Sequence, residues 1–412
     1  MILQKIKALS AAYKQEFIDI RRYIHSKPEL SYVEFETSKY IQAKLSEWEI
    51  PFVVMATTGV VGLIKSKNAD ERIVALRADM DALPITEKLP LAFASKTTTN
   101  YNGKESGVMH ACGHDAHTAI LMGVAEIFAG MRKELRGTVK FIFQPAEEGA
   151  PEGEENGAKL MIKEGVMENP KVDVIFGLHV SAETNVGQIS YKPAGFMASA
   201  SDMKIVIFGK GAHGASPWMG VDPIVTSAQI VNNLQTIISR NLKLIDNPAI
   251  VTIGAINGGN RSNIIPEKVE MLGTVRTFTA DDEKMIFERI RTIVTKTAES
   301  NGAIAEVILP YTFSYPVTFN DIALVQKMLP TLERTTGKGK TVLVSAITGA
   351  EDFSFFQQKV PGFFFQLGSK PLNAKATSHH TADFFLDESS FKLGVNAFTN
   401  LVLDYMDMNK NK

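Results

Sequence analysis

Apolar residues in the first thirty positions recur as Tyr13, Phe17, Ile20 and Ile24, at spacings of 4, 3 and 4. That is the period of an amphipathic helix, and Pro28 stops it. A second helix is predicted from Glu34 to Trp48. Short apolar runs then close on polar residues. IVAL leads into Arg77, Asp79 and Asp81, VKFIF into Pro145, Glu147 and Glu148, and VDVIFGL ends at His179. Each run reads as a buried strand. The helical pattern Ile120, Val124, Ile127, Phe128 and Met131 lies between them, so the region up to about residue 190 reads as alternating strands and helices of an α/β sheet. Open sheets of this kind bind ligands beyond the carboxyl ends of their strands, where these polar clusters fall.

The pattern changes near residue 199. A strand (DMKIVIF), a helix (DPIVTSAQIVNNLQTII), two strands (AIVTIGAI and KVEMLGTVRTF), a helix (DEKMIFERIRTIVTKTA) and a strand (AIAEVIL) follow in the order βαββαβ, a complete small α+β unit. After residue 315 the α/β style resumes, with helices near Ile322 to Leu332 and Phe353 to Gln358, a strand GFFFQLG and a closing helix. Residues 199–314 are therefore expected to form an inserted domain, with 1–198 and 315–412 making the other. The acidic stretch Glu152 to Glu155 reads as a solvated loop.

Composition changes this picture little. Lys plus Arg number 44 and Asp plus Glu 45, giving a formal charge of −1, so no basic surplus exists to attract nucleic acid or an anionic membrane. Apolar residues make up 45% and charged residues 22%, the balance of a folded globular chain. No apolar run reaches a membrane span, and Lys5 and Lys7 interrupt any signal-like core, so a cytoplasmic protein is expected. The 412 residues contain one cysteine, Cys112, and it falls inside HACGHDAH with three of the eight histidines.

That octapeptide, residues 110–117, would place His110, His114 and His117 on one helical face. Gly107 and Gly113 break the helix, however, and the periodic pattern begins only after Asp115, so Cys112 and His114 are expected on an irregular segment leading into a helix. A thiolate and an imidazole two residues apart can chelate a divalent cation, and they are the ligand types zinc-like metals prefer. Glu147 and Glu148 resist joint ionisation unless a cation compensates; with one, the first can move protons while the other coordinates. Asp79 and Asp81, one residue apart, can bind metal or orient a ligand imidazole. His179, and one of the adjacent pair His379 and His380, could complete the set. Each feature alone also has a plain structural account, as a buried thiol, a surface Glu pair, a core histidine, a capping aspartate or an exposed loop. Together they supply Cys, His, Glu and Asp from several loops at one end of one sheet.

The segments RADMDALP, HACGHDAH, FQPAEEG, GLHV, GAHGASPWMGVDP, NIIPEKVEMLGTVRTF and HHTADFFLDE, in this order, resemble metal-dependent amidohydrolases. These include hippurate hydrolase, auxin-conjugate (indole-acetyl amino acid) hydrolases and N-acyl amino acid deacylases, relatives of aminoacylase and carboxypeptidase G. The resemblance spans nearly the whole chain. It implies a zinc-exopeptidase-like catalytic domain that holds two divalent ions (zinc or manganese, with cobalt or nickel as alternatives). It also implies an inserted ferredoxin-like lid through which the chain forms a homodimer.

Carried over by residue, the resemblance makes Cys112, His114, Glu148, His179 and His380 metal ligands, Glu147 the general base and Asp81 a positioning carboxylate. His380 is preferred over His379 because the pattern of His, three residues, Phe, two residues and Asp-Glu falls on His380, Phe384, Asp387 and Glu388. The usual Pro after this His is Ala382 here. In the lid, His213 would stabilise an oxyanion, often in the neighbouring subunit's site, while Asn263 and Arg276 would contact substrate. Trp218 stands where the family usually has His, which bears on pocket shape. The implied reaction is hydrolysis of N-acyl amino acids. The alternatives are a dipeptidase or carboxypeptidase of the same family and a non-catalytic metal- or amino-acid-binding module.

Overall fold

The computed structural model describes residues 2–66, 72–151, 153–245 and 247–408. Glu152, at the start of the acidic stretch, lies outside them. The chain divides into two compact units, one made of Met1–Ala194, Phe319–Ser345 and Phe355–Lys412, the other of Gly195–Thr318 and Ala346–Ser354.

The larger unit is built on an eight-stranded mixed sheet. Its strands lie side by side in the order Phe52–Met55, Gly59–Lys65, Thr138–Gln144, Ile73–Asp79, Val174–Asn185, Gly362–Lys370, Ile189–Tyr191 and Thr341–Leu343. The four central strands, Thr138–Gln144 to Gly362–Lys370, run parallel. All seven residues of Thr138–Gln144 are buried, as expected of a strand covered on both faces. Phe141, Phe143, Phe176, Phe363 and Phe365 fill the core with Ile120, Leu121, Val124 and Phe128 of the helix His114–Ala129. Full burial of each phenylalanine contributes about 1.5–3 kcal/mol. That helix is buried at every position except Glu126 and Ala129, so its apolar residues wrap all round it rather than forming a stripe.

Several boundaries differ from the sequence expectation. The amphipathic helix is Lys14–His25, and a separate helix, Ile2–Ala12, precedes it. The helix after Asp115 starts earlier, at His114, because Gly113 turns the chain with φ 89°. The strand carrying His179 runs on to Asn185, held by parallel pairing with Gly362–Lys370, in which His179 faces Gln366.

The smaller unit has a five-stranded antiparallel sheet, four strands in the order Ile250–Gly258, Lys268–Arg276, Ala200–Phe208 and Ile304–Ile308, with the short Ser314–Tyr315 also paired to Ala200–Phe208. Helices Pro223–Thr236 and Ala280–Ser300 supply Ile230, Leu234, Ile286, Ile290 and Val294, which pack with Ile205, Ile207 and Met271 of the sheet. Asp222 and Thr279 start these helices by accepting hydrogen bonds from first-turn N–H groups. The strand order is that of a ferredoxin-like unit.

Candidate metal centre

Three connections of the larger unit, with the strand that carries His179, bring the sequence-flagged donors together. Gly113 is indispensable to the first: its φ is positive, and a Cβ there would stand 2.3 Å from Val180 Cγ2. The turn delivers Cys112 just before the helix and His114 as its first residue. Ala146, in left-handed conformation with φ 49°, turns the chain after Pro145 so that Glu147 and Glu148 leave the strand end together. For a residue with a Cβ that conformation costs about 1–2 kcal/mol, so neighbouring contacts must hold it. His380, with φ 62°, bonds through its N–H to the Ala111 carbonyl, which brings it beside Cys112.

Three groups of possible ligand atoms result, each within 4.8 Å of one another: Cys112, His114 and His179; Cys112, Glu148 and His380; His114, Glu147 and Glu148. His179 Nε2 is 3.3 Å from Cys112 Sγ, His380 Nε2 is 3.2 Å from the same sulfur, and His380 Nε2 is 3.1 Å from Glu148 Oε1. His114 Nε2 lies 3.9 Å from Glu147 Oε2 and 3.8 Å from Glu148 Oε1. His114 Nε2 is buried without a hydrogen bond and Glu148 Oε1 is buried with His380 Nε2 at 3.1 Å as its neighbour, an arrangement that costs free energy unless something occupies the space between His114 and the carboxylates. A divalent cation fits this donor set of thiolate, imidazoles and carboxylates.

Hydrogen bonding fixes which nitrogen each histidine offers. His114 Nδ1 donates to Asp81 Oδ1 at 3.1 Å, and His179 Nδ1 donates to the Val180 carbonyl at 2.6 Å, so Nε2 is the nitrogen each turns towards the pocket. The two adjacent histidines diverge. His379 Nε2 accepts from the Ala182 N–H at 3.3 Å, and its Nδ1 stands 3.8 Å from Cys112 Sγ.

Electrostatics favour a cation. Burial pushes the Cys112 thiol up, and Glu148 and Glu147 push it further. Burial works against charge on His114, but Asp79, Asp81 and Glu148 prevail and lift it to about 10. With no metal bound, a proton is the cation this carboxylate-rich pocket takes, and a metal ion must displace it. Burial and the neighbouring His117 and His379 keep His179 well below its ordinary value, and so neutral.

Behind these atoms lies a buried layer that the sequence reading only partly named. Arg77 Nη1 pairs with Asp79 at 2.6 Å, Asp79 accepts from His117 Nδ1 at 2.6 Å, and His117 Nε2 accepts from the Val180 N–H at 2.8 Å, steadying the strand next to His179. Arg21 bonds Asp115 at 2.7 Å and Glu388 at 3.2 Å, and His25 bonds Asp115 at 2.7 Å. This ties the helix that begins at His114 to the segment after His380. The RRYIH run, four residues apart on one helix, is the signal that could have revealed this pair. Of the three histidines in the octapeptide, His110 is sealed away: neither ring nitrogen has a hydrogen bond, and burial drives it to about 3.

The remaining flagged residues sit in the smaller unit. His213 and Asn263 line a cleft of about 890 Å³ together with Asn260, Ile265 and Glu267. The short ribbon pairing Ala212–His213 with Ile264–Ile265 builds one wall of it. His213 is exposed; its Nδ1 accepts from the Ala215 N–H at 3.0 Å, which leaves the proton on Nε2. Arg276 ends the strand Lys268–Arg276, half-buried, with Nη1 lacking a hydrogen bond. Trp218 is 77% exposed.

The model of peptidase family M20/M25/M40 matches residues 75–404. The chain belongs to this family. It is 39% identical over 395 residues to N-acetylcysteine deacetylase of Bacillus subtilis, covering 95% of this chain and 97% of that one. It is 37% identical over 409 residues to thermostable carboxypeptidase 2 of Saccharolobus solfataricus, covering 98% and 99%. Among solved structures it resembles YXEP of Bacillus subtilis, described as a dinuclear metal-binding peptidase of the M20 family. There the TM-score is 0.80 and the identity 35%, with 97% of this chain and 100% of that one covered. As an M20 member the protein is a metal-dependent hydrolase, and the amidohydrolase resemblance read from its motifs agrees with the family match. No helix among the described residues is long and apolar enough to cross a membrane.

Proposed function

We propose that the protein hydrolyses the amide bond of N-acyl amino acids, releasing a carboxylic acid and a free amino acid. The observation that carries this reading is one pocket in which His114 Nε2, buried without a hydrogen bond, and Glu148 Oε1, met by His380 Nε2 at 3.1 Å, lie together with Cys112, His179 and Glu147. Cys112, His114, Glu148, His179 and His380 are the residues proposed to hold two divalent cations, zinc or manganese first. Cations bound there would acidify water towards a pKa of about 7 and polarise the scissile carbonyl.

The chain's own groups do the rest. Glu147 accepts the proton of the attacking water and returns it to the leaving amine nitrogen, a shuttle worth on the order of 10²–10⁴ in rate. Asp81 keeps the His114 proton on Nδ1. His213, donating from Nε2, meets the oxygen on which negative charge grows, and Asn263 and Arg276 take the substrate's polar groups. The smaller unit is assigned the role of lid and homodimer contact. Substrate choice is supported by the deacetylase relative and the amidohydrolase motifs.

The test is a hydrolysis panel of N-acetyl, N-benzoyl and dipeptide substrates with Zn, Mn, Co or Ni, alongside metal analysis. N-acyl amino acids should be cleaved fastest; faster cleavage of peptides would establish the carboxypeptidase or dipeptidase alternative. Cys112 should alkylate only after chelation, and equal labelling with and without chelator would remove it from the ligand set.

A further inference from the structure

Glu34 stands immediately before the helix Phe35–Glu47, where an acidic residue reads as an ordinary helix-start residue. Its side chain makes no capping bond to that helix. Instead it is fully buried and reaches across the larger unit. Oε1 accepts from the Ala146 N–H at 3.0 Å and Oε2 accepts from the Thr58 hydroxyl at 2.6 Å. Ala146 is the left-handed residue that aims Glu147. The far side of the same turn is closed by Gly157, whose N–H bonds to the Ala146 carbonyl at 3.1 Å and where a Cβ would collide with the Pro145 carbonyl oxygen at 1.6 Å. Ala146 is therefore gripped at both its N–H and its carbonyl.

Neighbours of Glu34 grip the same region. Ser31 donates to Asp81 Oδ2 at 2.8 Å, the oxygen that also accepts from the Glu148 N–H at 3.0 Å, and the Tyr32 hydroxyl donates to the Glu155 carbonyl. Residues 31–34 thus touch both the residue before Glu147 and the carboxylate that orients His114.

We propose that Glu34, locked by Thr58, is a positioning residue for Glu147: its carboxylate accepts the Ala146 N–H and so fixes the direction in which the general base leaves the turn. This rests on the reading of Glu147 as the base. This carboxyl also carries an ionisable proton, which burial and Asp81 hold up to about 8, and that ionisation and the hydrogen bond separate by substitution. Glu34→Gln removes the ionisable group but keeps an amide oxygen for the Ala146 N–H, and the Thr58 hydroxyl can turn to accept from the new NH₂. Glu34→Leu removes both.

The experiment compares wild type, Glu34→Gln, Glu34→Leu and Thr58→Val as metal-loaded full-length proteins. The readouts are kcat and KM on the N-acyl amino acid cleaved fastest, metal content, and amide hydrogen exchange across residues 144–149. Misplacing a catalytic group by about 1 Å costs on the order of 10²-fold, so Glu34→Leu should lose about that factor in kcat while KM and metal content hold. Its exchange at residues 144–149 should quicken. Glu34→Gln should stay near wild type in both readouts. If Glu34→Leu fails to fold, Thr58→Val, which frees only Oε2, should still show faster exchange and a smaller kcat loss. Wild-type kcat and exchange in the Leu variant, or equal damage in Gln and Leu, overturns the proposal. Glu147→Gln run in parallel separates the two claims. Full activity there removes Glu147 as the base, whereas exchange at residues 144–149 reports on the Glu34 contact whichever residue is the base.

Discussion

The histidines of the two units are set to opposite patterns. In the larger unit His114 and His179 donate from Nδ1, to Asp81 and to the Val180 carbonyl, and turn Nε2 inward. In the smaller unit His213 accepts at Nδ1 from the Ala215 N–H and carries its proton on Nε2. The first pattern makes a Lewis base suited to a cation, and the second makes a hydrogen-bond donor suited to a growing negative charge. Burial differs in the same sense, since His114 is fully buried behind a layer of carboxylates and His213 lies on an exposed ribbon. One residue type thus presents two hydrogen-bonding patterns, and the partner of Nδ1 selects between them.

The largest effect expected from breaking this contrast is in the smaller unit. His213→Ala removes a donor and should lower kcat about 10²–10³-fold with metal content unchanged. Steady-state kinetics and metal analysis check it, and lost metal would contradict the separation of roles. In the larger unit, Asp81→Asn can offer an NH₂ to His114 Nδ1 and push the proton to Nε2, the pattern of His213. Metal affinity should fall about 10–100-fold, read by competition with a chelator; unchanged affinity would show that Asp81 does not set the tautomer.

The smallest effect concerns the helix that carries His114 and serves as a measure of fold alone. Burial, reinforced by Glu16, raises Glu126 to about 7 from 4.5. The folded state then holds the proton more tightly than the unfolded one, so stability falls as pH rises from about 4.5 to about 7, and the penalty is complete above that. Glu126→Gln should be the more stable protein at pH 8, on the order of 1 kcal/mol after allowing for partial exposure, with the gap closing near pH 4.5. Denaturation at the two pH values measures it; an equal gap at both would refute the assignment.

Much of the larger unit was legible because its signals are local. Buried parallel strands write continuous apolar runs, and their polar ends mark the site. The βαββαβ order was readable from alternating periods. What was not legible depends on chain reversals and side-chain reach. Gly113 read as a helix breaker, yet its positive φ allows the helix to begin one residue later at His114. Glu34 looked like a helix start and instead holds a turn 112 residues away. His379 and His380 look alike in the sequence. They part only because His380 takes a left-handed φ and the Ala182 N–H occupies His379 Nε2.

By itself the sequence determined the donor types, their order along the chain, the family they resemble and the elements that carry them, since these follow from residue chemistry and periodicity. The tertiary structure alone decided which nitrogen of each histidine is offered, which of two neighbouring histidines meets Cys112 and Glu148, and what holds Glu147 in place. A tautomer or a turn is set by whichever hydrogen-bond partner folding brings within about 3 Å, and that partner lies far away in the chain.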